Sequence, residues 1–267
     1  MLAQRIMTAI GLVAVLALVL LVLPQAVAVA ALAAMVLAGA WEWAALAGFD
    51  RSAARWLYLV ACLLAMAGLW LATRAQVDFA RALIAILIGW IPLFGWVVLA
   101  PGRRQRWLAA LAGLWALAPM WLALARLYLQ ADKGPELVVF VLLLAWAADI
   151  GAFFAGRRYG RLKLAPTVSP NKTWEGVLGG LFAGLIVGLA GAAWFELPLP
   201  AVLSLCMAAV LLSVVGDLAE SMFKRQSGRK DSGNLLPGHG GILDRIDSLT
   251  ASAPLLALGF CWLGLVA

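Results

Sequence analysis

Apolar runs of about 20 residues recur from one end of this chain to the other, and each is long enough as a helix to cross a hydrocarbon layer of about 30 Å. The runs fall at approximately 6–23, 27–49, 56–73, 81–100, 107–128, 137–155, 176–195, 198–220 and 242–265. Between them no stretch is long enough for a soluble domain. Apolar residues make up 65% of the chain and charged residues 12%, with mean hydropathy +1.00, well away from the composition of soluble globular domains. The fold class read from this pattern is an all-α polytopic membrane protein with about nine transmembrane helices. The first run follows Arg5, and its alternative reading is a cleaved secretory signal; because further spans follow at once, it is read as a retained span.

Lys and Arg in short loops stay on the cytoplasmic side, so they orient the spans. With the N-terminus inside, sixteen of the twenty basic residues fall on that side, and only Arg74, Arg81, Arg126 and Lys133 fall outside. This asymmetry places two polar loops, about 156–175 and 221–241, on one cytoplasmic face. The net charge of +7 is therefore concentrated there, on a surface that attracts anionic head groups and nucleotides.

Cys62, Cys206 and Cys261 lie in apolar runs without CxxC spacing, which argues against a disulfide framework and a zinc site. His239 is the only histidine, so chemistry that needs two imidazoles is excluded.

A carboxylate inside a membrane span is costly and is a functional candidate by default. Glu42, Asp149, Asp217, Glu220, Asp244 and Asp247 qualify. Glu42, in AWEWA, reads equally well as an acid that only pairs with a neighbouring helix. Asp217 and Glu220 stand three residues apart, as do Asp244 and Asp247, so each pair shares a helix face. They lie at the cytoplasmic ends of consecutive spans, where the connection between those spans can bring the two faces together. Oxygen ligands beside phosphate suit Mg²⁺, and internal salt bridges to Arg225 or Arg245 are the bland alternative.

Around those acids stand Lys224, Arg225, Arg229, Lys230 and Arg245, with glycines at 228, 233, 238, 240 and 241. Cationic side chains bind phosphate oxygens, and glycine lets backbone N–H groups approach them. PGHGG lacks GK[ST], and no GxGxxG occurs, so neither a Walker A loop nor a dinucleotide fold is indicated. Acids that hold a metal beside bases that hold phosphate point to phosphoryl or nucleotidyl transfer. In the other loop, Asp149 precedes GAFFAGRRYG, and SPNKTWEG follows from Ser169. Ala145, Ala148, Gly151, Ala152 and Gly156 predict close packing of the sixth span on a neighbour. Ser169 and Pro170 read as N-cap and N1 of the seventh span; Lys172 and Thr173 near that helix start equally suit a phosphate.

The run Ser221-Met-Phe-Lys224-Arg225, then Lys230-Asp231, then Leu236 to Gly241 and Asp244-Arg245-Ile246-Asp247, resembles the signature of the phosphatidate cytidylyltransferases, the CDP-diacylglycerol synthases. The Asp149…Gly156…Gly160 pattern and SPNKTWEG extend the resemblance over the C-terminal half; the first 130 residues resemble the family only as apolar spans. The resemblance implies condensation of CTP with phosphatidate to CDP-diacylglycerol and pyrophosphate, for phospholipid biosynthesis, with Mg²⁺ and room for a second cation. It implies a metal centre of Asp217, Asp244 and Asp247, with Lys230 as a further catalytic residue. Ser169, Lys172, Thr173, Lys224, Arg225, Asp231, His239 and Arg245 are then the substrate-binding candidates, supported by Asp149, Glu220 and Ser221. His239 reads either as a donor to phosphate or pyrophosphate or as a loop cap.

These readings divide the chain into 1–130, for packing and the contacts of a homodimer, and 131–267, for catalysis. They set the site at the cytoplasmic boundary of a bacterial inner membrane. Partners are CTP, phosphatidate and the lipid bilayer, and no nucleic acid is indicated. The rival class is a transporter of an anionic metabolite, which would place its binding residues near the midplane on broken helices of repeated halves. The CDP-alcohol phosphotransferases also use intramembrane aspartates, but their motif does not occur here.

Overall fold

The computed structural model describes residues 15–75, 77–130, 132–233, 235 and 240–266. Most of the first apolar run, Arg5, and the segment 236–239 with His239 lie outside these residues. Nine helices occur among the described residues: α1, helical over 15–21; α2, Gln25–Leu46; α3, Ser52–Ala75; α4, Phe79–Leu99; α5, Arg106–Gln130; α6, Gly134–Tyr159; α7, Trp174–Phe195; α8, Leu199–Gln226; and α9, Leu243–Trp262. Seven of them, α2 to α8, are long and apolar enough to cross a membrane, so the chain is an integral membrane protein.

The helices start and end where local chemistry dictates. Pro24 stands just before α2, and Asp78 caps α4 by accepting from the Arg81 backbone N–H at 2.9 Å. Two helices outrun their apolar segments towards the charged face: α6 continues to Tyr159 and α8 to Gln226. The α8 extension makes Lys224 and Arg225 its last helical turn rather than part of a loop.

One expectation is corrected between α6 and α7. Ser169 and Pro170 do not open the seventh helix; they lie in a strand. β1 (Lys163–Ala165) pairs antiparallel with β2 (Ser169–Thr173), and Lys163 stands opposite Thr173. The helix starts four residues later because Thr173, in extended conformation, accepts from the Gly176 N–H at 3.1 Å. The Trp174 N–H donates to the Leu162 carbonyl at 2.9 Å, which closes the hairpin onto the helix start.

The small residues of α6 do meet a neighbour. A Cβ on Gly151 would fall 2.5 Å from the Gly179 carbonyl of α7, and one on Gly180 would fall 3.0 Å from the Ala148 carbonyl of α6. Backbone-to-backbone packing of this kind is how helices associate without a hydrophobic driving force between them.

α9 is the hub. Fifteen of its twenty residues are buried, and it packs against α2, α4, α5, α6 and α8. Two of its buried hydroxyls return to their own helix: Ser252 donates to the Ser248 carbonyl at 2.7 Å and Thr250 to that of Asp247. The N-terminal helices join the hub through α5, where Trp43 Nε1 donates to the Ala109 carbonyl at 2.8 Å and Tyr58 to that of Ala110 at 2.9 Å.

Candidate active site

The ends of α8 and α9 approach closely because residue 216 has no side chain. A Cβ on Gly216 would lie 2.6 Å from the Asp247 carbonyl oxygen. That contact sets Asp217 and Glu220 beside Asp247, and one carboxylate oxygen from each lies within 4.8 Å of the others. Glu220 is fully buried and Asp247 nearly so. Glu220 Oε1 has no hydrogen-bond partner among the described residues.

Two lysines face this cluster. Lys172, carried by β2, pairs with Asp217. Lys224 pairs with Glu220 one helical turn before it and, at 2.9 Å, with Asp244 across the junction. Asp244 also accepts from the backbone N–H groups of Gly241 at 2.8 Å and Ser232 at 3.3 Å. Gly241 and Ser232 thus present their N–H groups to a carboxylate of the same chain. Gly240, at φ +80°, takes a backbone conformation that suits glycine and turns the chain into that contact.

On the opposite side of the cluster Ser248 donates its backbone N–H to Asp247 at 2.8 Å and its hydroxyl to Asp149 at 3.4 Å. Ser221 donates to Asp217 at 3.3 Å. Asp149, Asp217, Asp244, Asp247, Lys172 and Thr173 all line one cavity of about 630 Å³ between α6, α7 and α8. Arg157, Lys163 and Asn171 extend its polar lining, whereas Phe153, Val177, Val210 and Val214 make an apolar wall.

The sequence-derived candidates therefore divide. Asp149, Asp217, Asp244, Asp247, Lys172, Thr173, Lys224, Glu220 and Ser221 come together. Asp244 is held by Lys224 and loop amides, while Glu220 completes the three-carboxylate group. Arg225 reaches the β1–β2 turn, where its Nε donates to the Val168 carbonyl at 3.3 Å. Lys230, Asp231 and Arg245 are exposed at the cluster's edge, and Ser169 lies at the start of β2. His239 lies outside the described residues.

Three contributors were not singled out from the sequence. Ser248, Ser232 and Asn171 are small polar residues in segments already chosen for their charges, so their only signal was adjacency. Glu42 had a stronger one, as an acid within a span. Its Oε2 accepts from the Leu243 N–H at 2.8 Å and the Ser232 hydroxyl at 3.0 Å.

Asp149, Asp217, Glu220, Asp244 and Asp247 thus gather with Lys172 and Lys224 at this end of the bundle, with Glu220 and Asp247 the most buried. The orphaned Glu220 oxygen and the close Asp217–Glu220–Asp247 grouping fit a metal ion held by oxygen ligands. Fold and site together define an integral membrane protein with a carboxylate cluster able to hold a metal ion, set beside lysines at the mouth of a half-apolar cavity. Sequence comparison narrows that class. The profile described as "Cytidylyltransferase family" matches residues 3–262, and the chain belongs to this family. It is 43% identical over 265 residues to a phosphatidate cytidylyltransferase of Pseudomonas aeruginosa, covering 96% of each chain. It is 37% identical over 279 residues to one of Haemophilus influenzae, covering 95% of this chain and 96% of that one. Over 142 residues, 51% of this chain and 52% of the relative, it is 49% identical to one of Brucella suis.

Proposed function

We propose that this chain condenses CTP with phosphatidate, giving CDP-diacylglycerol and pyrophosphate for phospholipid biosynthesis, at the cytoplasmic face of a bacterial inner membrane. The reading is carried by one observation. Lys172 and the carboxylates of Asp149, Asp217, Asp244 and Asp247 line a cavity that also carries apolar side chains, and Lys224 is joined to it through Asp244, as a reaction between a water-soluble nucleotide and a membrane lipid requires. Family membership and the names of the relatives support it.

In this reaction a phosphatidate oxygen attacks the α-phosphorus of CTP and forms the new P–O bond. The bond from that phosphorus to the oxygen bridging to the β-phosphate breaks, and pyrophosphate leaves with the electron pair. The attacking oxygen is already anionic at neutral pH, so no proton has to be removed from it. The barrier is anion repulsion and alignment, which positioned cations reduce. Lys172 and Lys224 supply that charge: each is held by carboxylates and can exchange them for phosphate oxygens. Lys230, Arg225 and Arg245 add positive charge at the rim, and Arg157 and Lys163 add it along the cavity. Asp217, Glu220 and Asp247, with Asp244 beside them, would hold Mg²⁺, which supplies further neutralisation of the triphosphate oxygens when bound. Asp149 adds a carboxylate for a second cation. The apolar wall of α6, α7 and α8 receives the acyl chains, and residues 131–267 form the catalytic unit.

The test is purified protein in detergent with phosphatidate, radiolabelled CTP and Mg²⁺. Label should enter the lipid phase and pyrophosphate should be released in equal amount, dependent on phosphatidate and abolished by EDTA. Folded protein that gives no labelled lipid under these conditions removes the reading.

A further inference from the structure

We propose that Glu42, on α2 and outside the cavity, is a positioning residue for the reaction. Its buried carboxylate anchors the start of α9 together with Ser232, Gly233 and Gly241, and so holds Asp244 and Lys224 in register. Glu42 is only 3% exposed, and no Lys or Arg forms an ion pair with it among the described residues. A buried acid without a cation is costly, and an apolar residue would pack such a site at least as well. What occupies it instead is a set of donors from the catalytic segment.

Leu243 is the first residue of α9, so its N–H has no acceptor within the helix, and Ile242 before it provides no side-chain cap. Glu42 Oε2 accepts that N–H at 2.8 Å. An acid from α2 thus does the work of an N-cap residue and places negative charge at the positive end of the helix. The same oxygen accepts from the Ser232 hydroxyl at 3.0 Å. Gly233 and Gly241 close the segment onto it, since a Cβ at either position would collide with the Glu42 carboxylate.

The contacts continue inward. Ser232 and Gly241, which border Glu42, are the two residues whose N–H groups bind Asp244, and Asp244 in turn binds Lys224. Glu42 is therefore three contacts from a lysine that faces the carboxylate cluster. This gives the N-terminal helices a part in the chemistry: they supply the fixed point against which the catalytic segment is folded.

The role rests on the reading of the site as a cytidylyltransferase centre, so the experiment has two readouts on full-length protein. In the turnover assay, Glu42→Gln can keep an oxygen on the two donors but removes the negative charge that faces the positive end of α9. It should lower kcat about tenfold to a hundredfold while KM for phosphatidate stays within about twofold. Ser232→Ala, which leaves the α9 cap intact, should cost several-fold less, and the double variant should be no worse than Glu42→Gln alone because both act through one contact set. In the second readout, trypsin cleavage after Arg229 and Lys230 should quicken in Glu42→Gln without any substrate present. Wild-type kcat in Glu42→Gln, additive losses in the double variant, or unchanged cleavage would each overturn the proposal. Should Glu42→Gln fail to fold, Ser232→Ala decides alone: a several-fold fall in kcat supports the role and wild-type kcat refutes it. If wild-type protein does not turn over these substrates, the functional reading fails, and the cleavage rates still decide whether Glu42 anchors the segment.

Discussion

Lys224 Nζ stands 2.9 Å from Asp244 Oδ1 and also pairs with the fully buried Glu220, so one ammonium ties the end of α8 to the start of α9. Its side chain is 13% exposed, which leaves little water to replace it. Removing one partner of a buried pair leaves the other uncompensated, at a cost of about 3–5 kcal/mol. Lys224→Met should therefore lower the melting temperature in detergent and abolish turnover. Adding Glu220→Gln should recover part of the stability, because the fully buried charge is gone while Asp244 keeps its two backbone N–H donors, but none of the activity. Thermal unfolding of the single and double variants, alongside the lipid-labelling assay, separates the two roles.

The acids differ in what they touch, and their variants should differ in kind. Asp217 belongs to the three-carboxylate group, whereas Asp244 is occupied by Lys224 and two backbone N–H groups. Asp217→Asn should raise the Mg²⁺ concentration needed for half-maximal turnover. Asp244→Asn should lower turnover even at saturating Mg²⁺, because it releases Lys224 and loosens the hold on Ser232 and Gly241. Mg²⁺ titrations of both variants check this; equal shifts in the midpoint would put Asp244 among the metal ligands on the same footing as Asp217.

Much of this arrangement was legible in the sequence, for physical reasons that also mark where legibility ended. Membrane spans declare themselves because a helix that crosses lipid must satisfy its own backbone and present an apolar surface, and an acid inside such a span is costly enough to stand out even though a salt bridge is its bland alternative. That is why Asp217, Asp244 and Asp247 stood out, and why the small residues of α6 could be read as a packing face. The strand over Ser169–Thr173 was not legible, because SPNKT carries the residues of a helix start and only pairing with Lys163–Ala165 decides otherwise. Nor was the role of Glu42, since its partners are Ser232 and the Leu243 backbone, about 190 and 200 residues away, and hydrogen-bond donors of that kind leave no signature at a distance.

Gly216 predicts a steric cost that falls on activity. A methyl at this position would stand 2.6 Å from the Asp247 carbonyl and 2.8 Å from the Thr250 hydroxyl oxygen. Neither neighbour is the end of a flexible chain, so α8 and α9 must separate. Overpacking of this sort costs about 1–3 kcal/mol. Gly216→Ala should fold with reduced thermal stability and lose activity disproportionately, because the separation falls where Asp217 and Asp247 meet. A drop in melting temperature with unimpaired kcat would show that the carboxylates tolerate a wider spacing.

Thr173 joins the hairpin to α7 and stands next to Lys172, so its variants report on how the lysine is held. The hydroxyl accepts from the Gly176 N–H at 3.1 Å, and the side chain is buried against Gly156 of α6 and Gly160 just past its end. Loss of an N-cap hydroxyl costs about 1 kcal/mol, within a range of about 0.5–2 kcal/mol. Thr173→Val keeps the volume and removes the cap, so β2 loses its fixed junction with α7. Lys172 is then less well placed on Asp217 and on incoming phosphate. KM for CTP should rise several-fold with a modest loss of stability, and Thr173→Ser, which keeps the hydroxyl but drops a methyl, should restore KM. Steady-state kinetics of the Val and Ser variants test this, and a normal KM in Thr173→Val would detach the capped hairpin from nucleotide binding.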